Sequence, residues 1–181
     1  MQETVSDKHI LDQYRIDNAE GFKLLVVKYR ERLYFHIRRV VILHEDADDA
    51  LQNTFLKVWE NITGFRSDSS LYTWLYRIST NEALAILKKK AKIRGADITE
   101  IEGFFLSSNE GSTWFDGDEA EIKLRNAILK LPEKQKLVFN MKYFDEMKYE
   151  EMSEVLNTSV GALKASYHHA VKKIEDYLLN N

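Results

Sequence analysis

The sequence predicts an all-α fold of two small helical domains joined by a flexible acidic linker. Three observations point there. The 181 residues include only one proline and seven glycines, fewer than a β-rich chain with many turns uses. Apolar residues recur at spacings of three and four along most of the chain. One stretch, 93–118, breaks that period and is rich in Gly, Ser, Asn and Asp, which marks a domain boundary. The divisions expected are therefore 1–92, a linker 93–118, and 119–181.

The elements follow in order. Residues 1–18 carry no usable motif. Residues 19–43 form a helical pattern, with Phe22, Leu25, Val26, Tyr29, Leu33, Ile37 and Val40 on one side. The stretch HEDADDALQNTFLKVWENI reads as a second helix whose first turns hold acidic residues, where the helix dipole favours them. Leu51, Phe55, Val58 and Ile62 line its apolar face. The loop at 63–70 follows, and Ser69 or Ser70 is placed to cap the next helix. That helix, about 71–91, turns Leu71, Trp74, Leu75, Ile78 and Ala85 to one side at about 100° per residue. Arg77, Asn81 and Lys88 form a neighbouring polar stripe, and Tyr72 and Tyr76 stack on another edge.

Between 97 and 118 the chain holds six acidic residues, Asp97, Glu100, Glu102, Glu110, Asp116 and Asp118, and no basic one. Helical periodicity returns from residue 120 with Ile122, Leu124, Ala127, Ile128 and Leu131. Pro132 suits the first turn of the following helix, where its missing donor costs nothing.

Composition narrows the function. Without cysteine there are no disulfides, thiolate nucleophiles or thiolate metal ligands, which fits a reducing cytosol. No apolar run approaches the roughly 18 residues of a membrane span, and the polar N-terminus has no signal-peptide core, so a cytoplasmic protein with no membrane insertion is expected. A net charge of −3 gives no overall attraction to nucleic acid; DNA binding would rest on local patches such as Lys88–Lys90, Lys92 and Arg94. No nucleophile–base motif, phosphate-binding Gly loop or metal cluster is present. The pair His168–His169 does not share a helix face. No enzyme activity, cofactor or metal is expected.

The C-terminal residues fit a helix-turn-helix: a short helix at 149–156, a tight turn, and a longer helix capped by Thr158 or Ser159. Val160, Leu163, Tyr167, Val171, Ile174 and Leu178 form the expected buried stripe. A helix entering a major groove needs small residues for close approach and donors for base edges and phosphates. Gly161, Ala162 and Ala165 supply the first; Ser159, Lys164, Ser166, His168, His169 and Lys172 supply the second, with Val160 at the N-terminus of this reader.

These residues carry a resemblance. The stretch 46–90, DADDALQNTFLKVWENITGFRSDSSLYTWLYRISTNEALAILKKK, resembles domain two of bacterial sigma factors. The stretch 131–178, LPEKQKLVFNMKYFDEMKYEEMSEVLNTSVGALKASYHHAVKKIEDYL, resembles their domain four. Their order, the linker and the short total length are similar to the extracytoplasmic-function group of the sigma-70 family, and the likeness spans about 19–178. It implies a non-enzymatic subunit that binds core RNA polymerase, recognises promoter DNA at the minus-ten and minus-thirty-five elements, and melts the duplex. An anti-sigma factor is the further partner it implies.

The resemblance also distributes roles. Asp49, Gln52, Phe55, Leu56 and Trp59 fall on the helix that docks on polymerase, and their mixture of aromatic, apolar and polar groups suits a protein interface; Phe55 also suits the core. Phe65, Arg66, Ser67, Asp68 and Ser69 form the loop that holds a flipped base. Tyr72, Trp74, Tyr76, Arg77, Asn81 and Lys88 line the path of the single strand, combining aromatic and cationic groups; Trp74 equally suits the core. Many family members carry arginine where this chain has His168, His169 and Lys172. A histidine is mostly neutral above about pH 6.5, so domain four is expected to bind duplex DNA weakly without polymerase. The linker either mimics nucleic acid in the polymerase channel or is a solvated tether. The competing readings are a helix-turn-helix regulator acting without polymerase and a purely structural helical adaptor. The first explains the C-terminal half but not the aromatic–basic helix at 71–90.

Overall fold

The structure, a computed structural model, describes residues 5–41, 43–65, 69–94 and 119–180. These form α1 (Asp7–Ile16), α2 (Asn18–Val40), α3 (His44–Asn61), a 3-10 turn (Ile62–Gly64), α4 (Leu71–Arg94), α5 (Glu119–Leu129), α6 (Glu133–Tyr143), α7 (Tyr149–Leu156) and α8 (Val160–Asn180). The expected linker lies almost wholly outside the described residues.

Helix α1 was not expected from the sequence. It starts at Ser6, whose Oγ accepts the His9 N–H at 3.2 Å. It buries only Ile10 and Tyr14, too few apolar residues to reveal a period. Asp17 ends it and caps α2, accepting from the Ala19 and Glu20 N–H groups at 2.9 and 3.1 Å. The two helices meet at Gly21, where a Cβ would stand 2.3 Å from Tyr14 Cα. Only a residue without a side chain lets the two backbones approach so closely. Asp7 fixes the start of α1 to α2, accepting from Lys28 Nζ and the Tyr29 hydroxyl, each at 2.6 Å. Burial, with the Asp7 hydrogen bond and charge, raises the Tyr29 phenol well above its ordinary value.

Helices α2, α3 and α4 build the rest of the first domain around Leu25, Leu33, Ile37, Ala47, Ala50, Val58 and Leu75. Full burial of one Leu or Ile contributes about 1.5–3 kcal/mol. Two ion pairs bind α3 to α4: Lys90 to the Asp46 carboxylate at 2.7 Å and Lys57 to Glu82 at 2.5 Å. Asp46 therefore does more than favour a helix start. Lys90 belongs to the fold, while Lys88 and Lys89 stay exposed.

The face expected for α4 needs correction. Leu71 and Leu75 are buried, but Trp74 and Ile78 are half-buried and Ala85 is exposed. Thr73, Tyr76, Ser79, Thr80 and Ala83 are buried in their place. Small hydroxyl residues permit close helix contact, and the Ser79 and Thr80 hydroxyls are satisfied by donating to the Tyr76 carbonyl at 3.0 and 2.7 Å. Helix α4 is thus covered on more sides than its apolar stripe suggests.

In the second domain Pro132 stands at the N-cap of α6, one residue before the helical turn expected for it. Glu151 accepts the Lys148 N–H at 2.8 Å at the start of α7, half of a capping box. Asn157 ends α7 in the left-handed region, φ 48°, a conformation asparagine tolerates. Ser159, rather than Thr158, caps α8, its Oγ accepting the Ala162 N–H at 3.3 Å. The buried line of α8 runs through Leu163, Ala170 and Ile174, not through the expected Val171 and Leu178. Val171 is half-buried and Leu178 is 40% exposed. Ala170 takes the central place because its small side chain lets α8 lie close to the cluster of Ala127, Ile128, Leu131 and Phe139.

The two domains pack on one another. Met141, Met147, Met152, Val155 and Leu163 belong to the same buried cluster as Leu33, Leu75 and Tyr76, and α7 lies against α4. No helix among the described residues is long and apolar enough to cross a membrane.

Gly21→Ala is expected to destabilise the protein by about 1–3 kcal/mol, the range for overpacking a tight contact, as measured by urea unfolding. An unchanged midpoint would show that the α1–α2 crossing can open at no cost.

Candidate nucleic-acid and polymerase interfaces

Three solvent-facing stripes stand out on this scaffold. On α3, Asp49, Gln52, Leu56 and Trp59 are exposed and follow one another at helical spacing. Leu56 is 55% and Trp59 44% exposed, although both are large and apolar. Trp59 is held from below by Phe22, ring centroids 5.0 Å apart, and by Tyr14 at 6.1 Å. Phe55 is half-buried and meets Phe22 edge-on at 6.2 Å. It supports the stripe from the core side instead of standing on it.

On α4, Arg77, Asn81, Ala85 and Lys88 form a second exposed line. Ala85 was expected in the core; its small side chain instead leaves room beside Asn81. At the N-terminal end of this line Trp74 packs on Phe65, ring centroids 5.2 Å apart, and both are half-buried. The edge therefore carries an aromatic pair followed by a cation, an amide and a second cation. Ser69 is half-buried next to it. Arg66, Ser67 and Asp68 lie outside the described residues. Ser70, not Ser69, caps α4, accepting the Thr73 N–H at 3.0 Å.

Tyr72 and Tyr76 stand elsewhere. Their ring centroids lie 4.3 Å apart with the planes tilted by 40°, neighbours as the i,i+4 spacing suggests, but on the edge that meets the second domain. Tyr76 is 2% exposed and lies 4.7 Å from the His36 ring. The Tyr72 hydroxyl donates to the Asp145 carbonyl at 3.3 Å. In this arrangement neither ring lies on the strand path expected for it, because the domain interface covers that edge.

The third stripe is on α8. Ser159, Gly161, Lys164, Ala165, His168, His169 and Lys172 are exposed, whereas Val160 and Ser166 are half-buried. Gly161 has nothing within 4 Å of the place a Cβ would take, so packing within the fold does not require a glycine there. Lys164 lies over the Tyr149 ring, 5.6 Å from its centroid, which ties the α8 stripe to α7.

The described residues thus combine a C-terminal helix-turn-helix, a helical core before it, and exposed apolar–acidic and aromatic–cationic stripes. Residues 25–93 match the family described as Sigma-70 region 2, and residues 121–174 match Sigma-70, region 4. The chain belongs to the sigma-70 family of RNA polymerase sigma factors, in its extracytoplasmic-function group. It is 28% identical over 179 residues to the ECF RNA polymerase sigma factor SigW of Bacillus subtilis, covering 94% of this chain and 96% of that one. It is 27% identical over 185 residues to the ECF RNA polymerase sigma-E factor of Escherichia coli, covering 97% and 96%. Among solved structures, CnrH in complex with the cytosolic domain of CnrY shares the fold at a TM-score of 0.70 and 22% identity, covering 97% of this chain and 98% of that one. The sigma factor RpoE of Bartonella quintana, solved with the anti-sigma factor NepR, shares it at 0.68 and 18%, covering 88% and 97%.

As a sigma factor the chain directs RNA polymerase to promoters and serves transcription initiation as a non-catalytic subunit. What sequence reasoning missed in it is the seam between the domains: His36, Arg39, Asn140 and Asp145 have no local motif, and 101 or more residues separate each partner from the next across the seam. The only local signal was Asp145 itself, an acidic residue in the DEMK turn.

Burial pushes the Tyr72 phenol up to about 12; the Asp145 and Glu151 charges add to the rise, while the Tyr76 hydrogen bond and Arg32 oppose it. Its neutral form therefore contributes stability that is complete below the unfolded value of about 10 and is lost as pH rises through about 12. Between those values Tyr72→Phe is expected to lose less stability than the native chain, measured by urea unfolding alongside tyrosinate absorbance. Equal losses would remove Tyr72 from the alkaline transition.

Proposed function

We propose that this sigma factor divides its work among the three stripes. Asp49, Gln52, Leu56 and Trp59 on α3 meet core polymerase, with Phe55 bracing them. Arg77, Asn81 and Lys88 on α4, with the Phe65–Trp74 pair, hold the single strand of the minus-ten element. The loop residues Arg66, Ser67, Asp68 and Ser69 complete the pocket for a flipped base. Gly161, Lys164, Ala165, His168, His169 and Lys172 on α8, with Ser159, Val160 and Ser166 at its margins, read the minus-thirty-five duplex. The division at 1–92 and 119–181, with a linker between, follows the same reading. The observation that supports it best is the exposed edge of α4. Stacking surfaces draw unstacked bases and cations hold the backbone, and both occur on that one edge.

The α3 stripe has the character of a protein-binding surface, since large apolar side chains exposed beside acidic and amide groups favour association over solvation. The α8 stripe pairs small residues with donors, as groove entry requires. The protein works in the cytoplasm, where polymerase and promoter meet. An anti-sigma factor covering these stripes is its regulatory partner, by analogy with the NepR complex of the Bartonella quintana relative.

Run-off transcription with core polymerase and genomic promoter fragments tests the whole reading. Transcripts that depend on the protein and share two upstream elements are expected; duplex binding with no polymerase association would replace the reading with an independent regulator. Leu56→Arg is expected to weaken core association by about tenfold or more, the scale of an anchor lost from an interface, with an unchanged melting temperature. Undiminished affinity would move the docking surface off α3. Lys164→Ala is expected to weaken recognition of the upstream duplex about tenfold, while Asn81→Ala leaves recruitment intact and impairs melting. Permanganate footprinting separates them: full strand opening by Asn81→Ala with lost duplex recruitment would reverse the two assignments.

A further inference from the structure

A cavity of about 510 Å³ opens where the C-terminal end of α2 faces α5 and α6. That volume lies in the range of sites for small organic molecules, roughly 300–1,000 Å³. None of the residues on the three exposed stripes lines it. Its apolar wall is made by Val41, Leu124, Ile128 and Leu129, with the Phe35 and Phe144 rings beside them. Water against such a wall finds few hydrogen-bond partners, so an apolar group is favoured there.

The polar part of the wall is unevenly charged. Arg38, Arg39, Arg125 and Lys136 line it, against the carboxylate of Glu121. Arg39 is matched by Asp145 at 2.8 Å. Four cations set against Glu121 and Asp145 leave two positive charges in excess among the described residues. Lys136 is 4% exposed, so little water is at hand to offset its charge. Arg38 comes from α2 and Arg125 from α5. Burial, and next the Arg38 charge, lower the Arg125 guanidinium from its ordinary value. Two like charges so placed disfavour each other, and an anion between them favours both. Asn140 adds a second requirement. Its Nδ2 donates to the Arg39 carbonyl at 3.1 Å, which fixes the amide, and its Oδ1 is buried with no hydrogen-bond partner among the described residues. A buried acceptor without a donor is costly, and a ligand N–H or O–H at this wall satisfies it.

We infer that this cavity is a binding site for a small organic anion with an apolar body. The anionic group, a carboxylate, sulfonate or phosphate, lies between Arg38 and Arg125, whose forked guanidiniums match such groups. The body lies on Leu124, Ile128 and the Phe144 ring, and a donor group on it faces Asn140. A neutral body of the same shape leaves the charge excess in place, and an inorganic anion leaves the apolar wall wet. The site is separate from the surfaces assigned to polymerase and promoter, so a small molecule reaches the protein there without competing for them.

The probe is anilinonaphthalene sulfonate, which carries a sulfonate, an aromatic body and one N–H donor. The full chain is titrated with it by calorimetry and by probe fluorescence, and saturable binding of one probe per chain is expected. Arg125→Gln is expected to weaken binding about tenfold or more, the scale of a lost charge-assisted hydrogen bond. Leu124→Trp is expected to abolish it by filling the cavity with no change of charge, and it decides the matter if Arg125→Gln loses helicity. Lys134→Gln, at an exposed position of α6 outside the lining, leaves the affinity unchanged. Phenylnaphthylamine, the same body without the sulfonate, binds about tenfold more weakly or worse. Equal affinity for the neutral and the anionic probe overturns the anion. Affinity unmoved by both cavity variants, or lowered equally by Lys134→Gln, overturns the site. Binding that emerges only when residues 95–118 are replaced by a Gly/Ser segment of the same length assigns the cavity to that acidic stretch of the chain and overturns the small-molecule ligand.

Discussion

Helix α4 is packed from two directions, and this constraint organises the rest of the molecule. Its Leu71, Leu75, Ala83 and Leu87 side belongs to the core made with α2 and α3. Its Tyr72, Tyr76 and Thr80 side meets the seam with the second domain. The edge with Arg77, Asn81, Ala85 and Lys88 is left to solvent. A helix covered on two sides cannot roll, so the groups on its free edge keep a fixed direction relative to the Phe65–Trp74 pair. Preorganisation of this kind reduces the ordering cost of any binding that uses these groups.

The charges inside the fold divide into two kinds. Lys90–Asp46 and Lys57–Glu82 join neighbouring helices of one domain. They fix register between elements that apolar packing already holds, and partly exposed pairs of this sort add little stability on their own. Asp145 with His36 and Arg39 joins elements far apart in sequence; the carboxylate and the imidazole are almost free of water, while the Arg39 side chain is 29% exposed. Its contribution lies in specificity, since buried charged groups favour the one arrangement of the two domains that pairs them.

The second domain shows how one face of α8 is kept exposed. Asn157 and Ser159 end one helix and begin the next within three residues, which fixes the angle of α8. Ala170 brings the middle of α8 against Phe139 and Ile128. Gly161, Ala162 and Ala165 stand on the outward face, and the bulky Tyr167 is turned inward to stack on Phe139, ring centroids 5.8 Å apart. The face carrying Lys164, His168 and Lys172 is exposed, unlike the Tyr72 edge of α4, which meets the second domain.

What the sequence determined alone was whatever local chemistry controls. The helical periods, the helix-turn-helix, a cap at Thr158 or Ser159 and much of the exposed sides of α3 and α8 could all be read, because each depends on residues within a turn or two of one another. Helix α1 was missed because two buried residues make no period, although Gly21 next to a capping Asp17 hinted at a close crossing. The burial of Thr73, Ser79 and Thr80 and the exposure of Ala85 were hidden, since polarity alone does not say which side of a helix a second domain will cover. Tertiary structure decided the seam. The partners of Asp145 stand more than 100 residues away along the chain, and a carboxylate in a turn reads as solvated until folding brings an imidazole and a guanidinium to it and removes the water.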